Sequence, residues 1–212
     1  MKDILLIVRI FLKYFFSKTK RYLNIFFLII KSKPKSILEI GVYRGLRSSE
    51  MIQLAKIFNK NIHFYGFDLF ENINLKKKKE ELSKYPYSIK IIYEYLKKVS
   101  TNINLYKGNT INTLKNNLNN KKINFIFIDG GHSIKTISND WKNCIKFLNK
   151  ETIVIFDDYY VGNHKIIKKF GCNNLINNLC KKKYHTKVLP FTDYFQLMEK
   201  KTGIKMVLVK LK

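Results

Sequence analysis

Paired cysteines, acids and long apolar runs are all scarce in this chain, and each shortage removes a class of function. Cys144, Cys172 and Cys180 are odd in number and none stands in C-x-x-C spacing. Neither a disulfide framework nor a thiolate zinc site is expected, and reduced thiols in a cytoplasmic protein are. The longest uncharged run near the N-terminus, residues 22 to 30, falls well short of the roughly 20 apolar residues that span a membrane. Arg9 breaks the apolar run before it and no small-residue cleavage site follows, so a secretory signal is not expected. Acids number 15 against 41 Lys and Arg, for a net charge of +26. Such an excess ordinarily points to nucleic acid or an anionic membrane. Here the lysines are interspersed with Asn and Ile throughout, as in chains encoded by A+T-rich genes, so codon bias is a second origin for the charge.

What is present is enough for one well-buried domain: 212 residues with 46% hydrophobic content. Residues 1–33 read as a basic amphipathic helical segment. Lys2, Arg9, Lys13 and Lys20 fall near one helical face, opposite Leu5, Val8, Leu12 and Phe15. Such a segment packs against its domain or against a second subunit in a homodimer, or lies peripherally on an anionic membrane. The domain proper, residues 34–212, begins at Pro34.

Short runs of Ile, Phe and Val predict strands at 36–40, 62–67, 103–106, 123–128 and 152–156. Helices are predicted between them at 49–59, 77–98, 110–119 and 136–148, with a further helix at 163–183 and extended stretches at 186–190 and 204–210. This alternation predicts a parallel sheet covered by helices on both faces. Ligands in such sheets collect at the carboxyl ends of the strands.

Residues 36–50, SILEIGVYRGLRSSE, read as strand, glycine turn and helix. A helix N-terminus exposes unpaired N–H groups, and glycines let a ligand approach the backbone. The dinucleotide fingerprint G-x-G-x-x-G is not met, because Tyr43 fills the position that must be bare for a pyrophosphate. NAD and FAD are therefore disfavoured.

The other strand ends are polar as well: Asp68 in HFYGFDLFE, Gly108-Asn109 in INLYKGN, Asp129 in INFIFIDGGH and Asp157-Asp158 in TIVIFDDYY. Any one of these could be a cap or turn residue; five in succession suggest a ligand site. His132 lies at the same rim, where a neutral imidazole could serve as a base or simply orient Asp129. His63 and His185 read as structural, and Trp141 as core. Lys76 to Lys79 reads as a solvated helix start or part of a cover over the site.

EIGVYRG, GFDLFE, IDGGHSIKTISNDW and IVIFDDYY, in this order, resemble the class I S-adenosylmethionine-dependent methyltransferases. The similarity is to the group holding the macrolide sugar O-methyltransferases and the cephalosporin-hydroxylase-like proteins, and covers roughly residues 36–160. It implies a Rossmann-like, doubly wound α/β fold with a mostly parallel seven-stranded sheet and an antiparallel last strand. IKMVLVKL looks like that strand. It also implies S-adenosylmethionine bound by Glu39, Gly41, Gly45, Asp68, Asn109 and Asp129, with Asp68 on the ribose hydroxyls. A Mg ion would be held by Asp129, Asp157 and Asp158, and His132 with Asp129 would be catalytic. Asn109 stands where many relatives have an acid. The implied reaction is O-methylation of a small molecule or sugar. RNA methylation is the charge-based rival, against which the fourth strand ends in Ile-Asp-Gly-Gly rather than in an Asn/Asp-Pro-Pro-Tyr pattern. A non-catalytic scaffold of the same fold is the third reading.

Overall fold

The computed structural model describes residues 1–118 and 121–212. Its strands are β1 (Ser36–Ile40), β2 (His63–Asp68), β3 (Ile103–Lys107), β4 (Phe125–Ile128), β5 (Ile153–Val161), β6 (Tyr184–Val188), β7 (Asp193–Leu197) and β8 (Lys200–Leu211). They form one sheet in the order β3-β2-β1-β4-β5-β8-β6, with β7 pairing to β8 beside that path. The pairs β1–β2, β2–β3, β1–β4 and β4–β5 are parallel, and β8 runs antiparallel to β5, β6 and β7. The doubly wound sheet with an antiparallel last strand is thus present. β7, part of a hairpin with β8, is an addition to the seven expected strands. Strand order reverses between β1 and β4, which makes their carboxyl ends the switch point where ligands bind.

Helices α1 (Lys2–Phe15), α2 (Leu23–Ser32), α3 (Leu46–Phe58), α4 (Leu75–Glu80), α5 (Ile89–Lys97), α6 (Thr110–Asn117), α7 (Ile134–Cys144), α8 (His164–Ile167) and α9 (Asn173–Asn177) cover the sheet. Alternate strand residues serve opposite layers, as the period of two requires. Ile37, Phe64, Phe125 and Phe127 pack with α1, α2, α3 and α5, whereas Leu38, Tyr65, Ile126 and Val154 pack with α6, α7 and α9.

The N-terminal segment is two helices joined by a 3-10 turn over Lys20–Tyr22. Ile10, Tyr14, Ile25, Phe26 and Ile29 are buried in the same cluster as β1 and β2. α1 therefore packs on the domain, but through Ile10 and Tyr14; the stripe of Leu5, Val8, Leu12 and Phe15 singled out in the sequence is exposed. The Tyr14 hydroxyl donates to Glu50 Oε2 at 2.5 Å, and Lys13 Nζ reaches Glu50 Oε1 at 2.5 Å, tying α1 to α3.

Two expected helices are broken. The stretch 77–98 divides into α4 and α5 at Leu82, whose φ is +50°, with Pro86 following. The stretch 163–183 divides into α8 and α9 at Gly171, φ +87°. The expected end of the 110–119 helix lies outside the described residues.

Candidate functional site

The carboxyl ends of β1, β2 and β4 are stitched together by backbone hydrogen bonds. Gly41 N donates to Phe67 O and Asp129 N to Ile40 O, both at 2.8 Å. Gly41 has φ +94°, and a Cβ there would lie 2.0 Å from the Asp129 carbonyl oxygen. Only glycine lets β1 turn against β4 in this way. Tyr43, in the position a dinucleotide would need bare, also has positive φ, +53°. Its N–H donates to Asp68 Oδ2 at 2.8 Å, while Phe70 N–H donates to Asp68 Oδ1 at 3.0 Å. Asp68 thus shapes the glycine turn as well as facing the site, and each oxygen keeps a lone pair for a ligand hydroxyl.

Glu39 is fully enclosed at the end of β1, where it accepts a short hydrogen bond from Ser48 Oγ of α3. Burial, reinforced by the Asp68 charge, pushes its pKa up to about 8 against the help of Ser48 and Arg47. Burial also raises Asp68, opposed by its backbone donors. Asn109 caps α6 by accepting from Ile111 N at 3.0 Å, which leaves its amide NH2 for a ligand.

The fourth and fifth strand ends meet around His132. Its Nε2 lies 3.3 Å from Asp158 Oδ2, and its Nδ1 lies 2.5 Å from the Glu81 carbonyl oxygen. A carbonyl only accepts, so Nδ1 carries a proton there and Nε2 is the ring nitrogen turned to the cluster. Asp158 enters from a bulge in β5, at φ +58°. Gly171 permits this approach: its N–H donates to His132 O at 2.8 Å, and a Cβ would stand 2.5 Å from Asp158 O. Burial holds Asp129 well above the usual carboxylate range, with the Asp157 and Asp158 charges adding to it. Burial raises Asp158 as well, opposed by His132.

Asp129, His132 and Asp158 offer ligand atoms all within 4.8 Å of one another. Two carboxylates and an imidazole suit a divalent cation, which would also relieve the crowding of charge. This differs from the Asp129, Asp157 and Asp158 set expected from the sequence. Asp157 faces Arg21 instead, receiving Nε on Oδ1 at 2.8 Å and Nη2 on Oδ2 at 2.7 Å. An already paired carboxylate with a guanidinium against it is a poor cation ligand, and His132 takes its place in the cluster.

Arg21, Tyr22, Glu81 and Asp193 escaped the sequence reading. Arg21 Nη1 donates to Asp193 Oδ2 at 2.5 Å, so one buried cation joins the 3-10 turn, β5 and β7. The Tyr22 hydroxyl stands 3.5 Å from Asp129 Oδ2, and the Arg47 guanidinium stacks 4.2 Å from the Tyr22 ring centre. Glu81, just past α4, accepts from Ser133 N at 2.8 Å and Thr136 Oγ1 at 2.6 Å at the start of α7. Burial works against its charge, but Thr136, Ser133 and Lys77 outweigh it and hold its pKa down to about 2. The segment after the lysine run is therefore fastened to His132 and to the start of α7. Glu81 followed 52 residues later by a capping Ser133 has no local sequence signature.

A family described as a methyltransferase domain matches residues 38–159. An uncharacterised protein of Acanthamoeba polyphaga mimivirus is 29% identical over 126 residues, covering 58% of this chain and 50% of that protein. The chain thus spans half the length of the curated relative it matches. Among solved structures, an O-methyltransferase from Bacillus cereus in complex with SAH is similar at TM-score 0.62 and 14% identity, over 99% of this chain and 91% of that one. An rRNA methylase from Streptococcus thermophilus is similar at TM-score 0.56 and 11% identity, over 83% and 87% of the two chains. At these identities the likeness is one of fold. The family match over more than half of the chain and the glycine corner at the sheet's switch point agree: the chain belongs to the methyltransferase-domain family, with the class I S-adenosylmethionine-dependent fold.

Proposed function

We propose that the protein is an O-methyltransferase acting on a hydroxyl of a small molecule or sugar, with S-adenosylmethionine as methyl donor. The observation that carries this reading is the 2.5 Å contact of His132 Nδ1 with the Glu81 carbonyl, which aims an imidazole lone pair into the acidic rim. A base so placed suits a hydroxyl, which must lose its proton as the new C–O bond forms. When bound, S-adenosylmethionine supplies an electrophilic methyl group and departs as a neutral thioether.

In this reading Glu39, Gly41 and Gly45 border the methionine and adenosyl parts, Asp68 accepts from the ribose hydroxyls, and Asn109 meets the adenine. Asp129, at the switch point, borders both halves. His132 Nε2 takes the acceptor proton, and Asp158 at 3.3 Å stabilises the resulting imidazolium. Tyr22 and Arg21 wall the acceptor side. If a Mg ion is bound instead, Asp129, His132 and Asp158 would hold it; with Nε2 then a ligand rather than the base, the ion's chemistry would be to acidify and orient the acceptor hydroxyl. Among the described residues no helix is long and apolar enough to cross a membrane.

Calorimetry with S-adenosylmethionine, followed by transfer of a labelled methyl group to sugars and small alcohols with and without EDTA, tests the proposal. Binding together with hydroxyl-dependent transfer is expected. Absence of binding, or transfer to RNA alone, overturns it. Full activity after EDTA treatment removes the cation from the reading but leaves the base.

A further inference from the structure

α1 has two apolar faces, and the domain uses only one. Ile10 and Tyr14 are buried at 3% and 1% exposure. On the opposite side Leu5, Val8, Leu12 and Phe15 stand 61%, 45%, 52% and 55% exposed, flanked by Ile4 and Phe16, which are also exposed. These positions recur at three- and four-residue steps and make one continuous stripe along the helix. Leaving such a stripe in water forfeits the hydrophobic free energy that its burial would give.

The charge beside the stripe says what covers it. Lys2 and Arg9 lie along one edge of the helix, and Lys18 and Lys20 follow its end, all exposed. Asp3 is the only acid before Glu39. Lys20 Nζ sits 5.6 Å from the Phe15 ring centre, so basic and apolar groups are interleaved. A second copy of this chain would bring a like charge of +26 against it, which disfavours self-association. An anionic bilayer offers the complement: acyl chains for the stripe and headgroup phosphates for the ammonium and guanidinium groups.

We infer that α1 docks the folded domain onto an anionic lipid surface, lying in the plane of the interface. At about 1.5 Å per residue its 14 residues are far too short to span the hydrocarbon core. Ile10, Tyr14 and the Tyr14–Glu50 bond keep the other face of the helix on the domain. Docking therefore needs no unfolding, and no ordering cost beyond the exposed side chains.

Flotation of the full chain with vesicles tests this. Vesicles of equal parts phosphatidylglycerol and phosphatidylcholine are compared with phosphatidylcholine alone, at about 0.1 M salt. The wild-type chain should float with the anionic vesicles only. Val8→Asp/Leu12→Asp, at exposed positions, should lower the partition coefficient about tenfold or more, with circular dichroism unchanged. Lys2→Glu/Arg9→Glu, which leaves the stripe intact, should lower it as well. The inference is overturned if the wild-type chain stays at the bottom of the gradient. It is equally overturned if the Asp pair floats like wild type, which would assign binding to net charge alone. Sedimentation of the wild-type chain as a dimer that the Asp pair dissociates would give the stripe to a second copy instead.

Discussion

Arg21 grips Asp157 with two nitrogens, Nε to Oδ1 at 2.8 Å and Nη2 to Oδ2 at 2.7 Å, across 136 residues of sequence. A third nitrogen holds Asp193. Both acids are almost fully buried, so removing the guanidinium strands two carboxylates in a low-dielectric interior. Arg21→Met should cost about 3–5 kcal/mol, as breaking buried pairs does. Urea denaturation of both proteins measures it.

Glu39 holds a proton at pH 7, because its pKa in the fold is about 8. The unfolded chain gives that proton up above about 4.5, so this group's contribution to stability is full below 4.5 and is lost as pH rises through about 8. A cationic ligand ammonium beside it would reverse the balance. Binding of S-adenosylmethionine at pH 7 should release a fraction of a proton, and Glu39→Gln should abolish the release. Calorimetry in buffers of different ionisation enthalpy reads this directly.

His132→Ala should lower methyl transfer by roughly 10²–10⁴, the usual worth of a positioned base, and leave the affinity for S-adenosylmethionine unchanged. A matching loss of cofactor binding would instead give the imidazole a purely architectural place at the rim. Single-turnover rates and equilibrium binding together separate the two.

Glu81 has the opposite linkage from Glu39. Its pKa is lowered to about 2, so the stability it adds is present above about 4.5 and disappears as pH falls through about 2. Glu81→Gln should flatten the acid limb of the stability curve. The main-chain carbonyl that orients His132 is untouched by this change, and the pH profile of methyl transfer should keep its shape.

Gly41→Ala would place a methyl group 2.0 Å from the Asp129 carbonyl oxygen at a backbone angle that L-residues avoid. The cost should be about 3 kcal/mol or more, with cofactor affinity lost alongside. Thermal unfolding and calorimetry check both.

The strand ends were legible because the signals are local. An apolar run ending in Asp or Gly marks a parallel strand and its carboxyl tip, and Gly41, Asp68 and Asp129 all announce themselves in this way. The partners that decide what each acid can do are not local. Nothing in KRY at 20–22 says that its arginine will neutralise Asp157, and a main-chain carbonyl has no residue identity by which Glu81 could be matched to His132. The breaks at Leu82 and Gly171 were missed because apolar periodicity runs on through them. The pattern of α1 leaves its partner open for a related reason: both of its sides are apolar, and the pattern alone does not say which one the domain covers.

The Gly41–Asp129 contact has a bearing on specificity. Because β1 and β4 touch there through main-chain atoms, the glycine turn and the tip bearing Asp129 are joined directly. In the proposed reading the pieces that would border the acceptor come from elsewhere: the 3-10 turn with Arg21 and Tyr22, and the segment at Glu81. Substitutions there would alter the acceptor side while the Gly41–Asp129 contact stays as it is, so a new acceptor would be admitted without rebuilding the glycine turn.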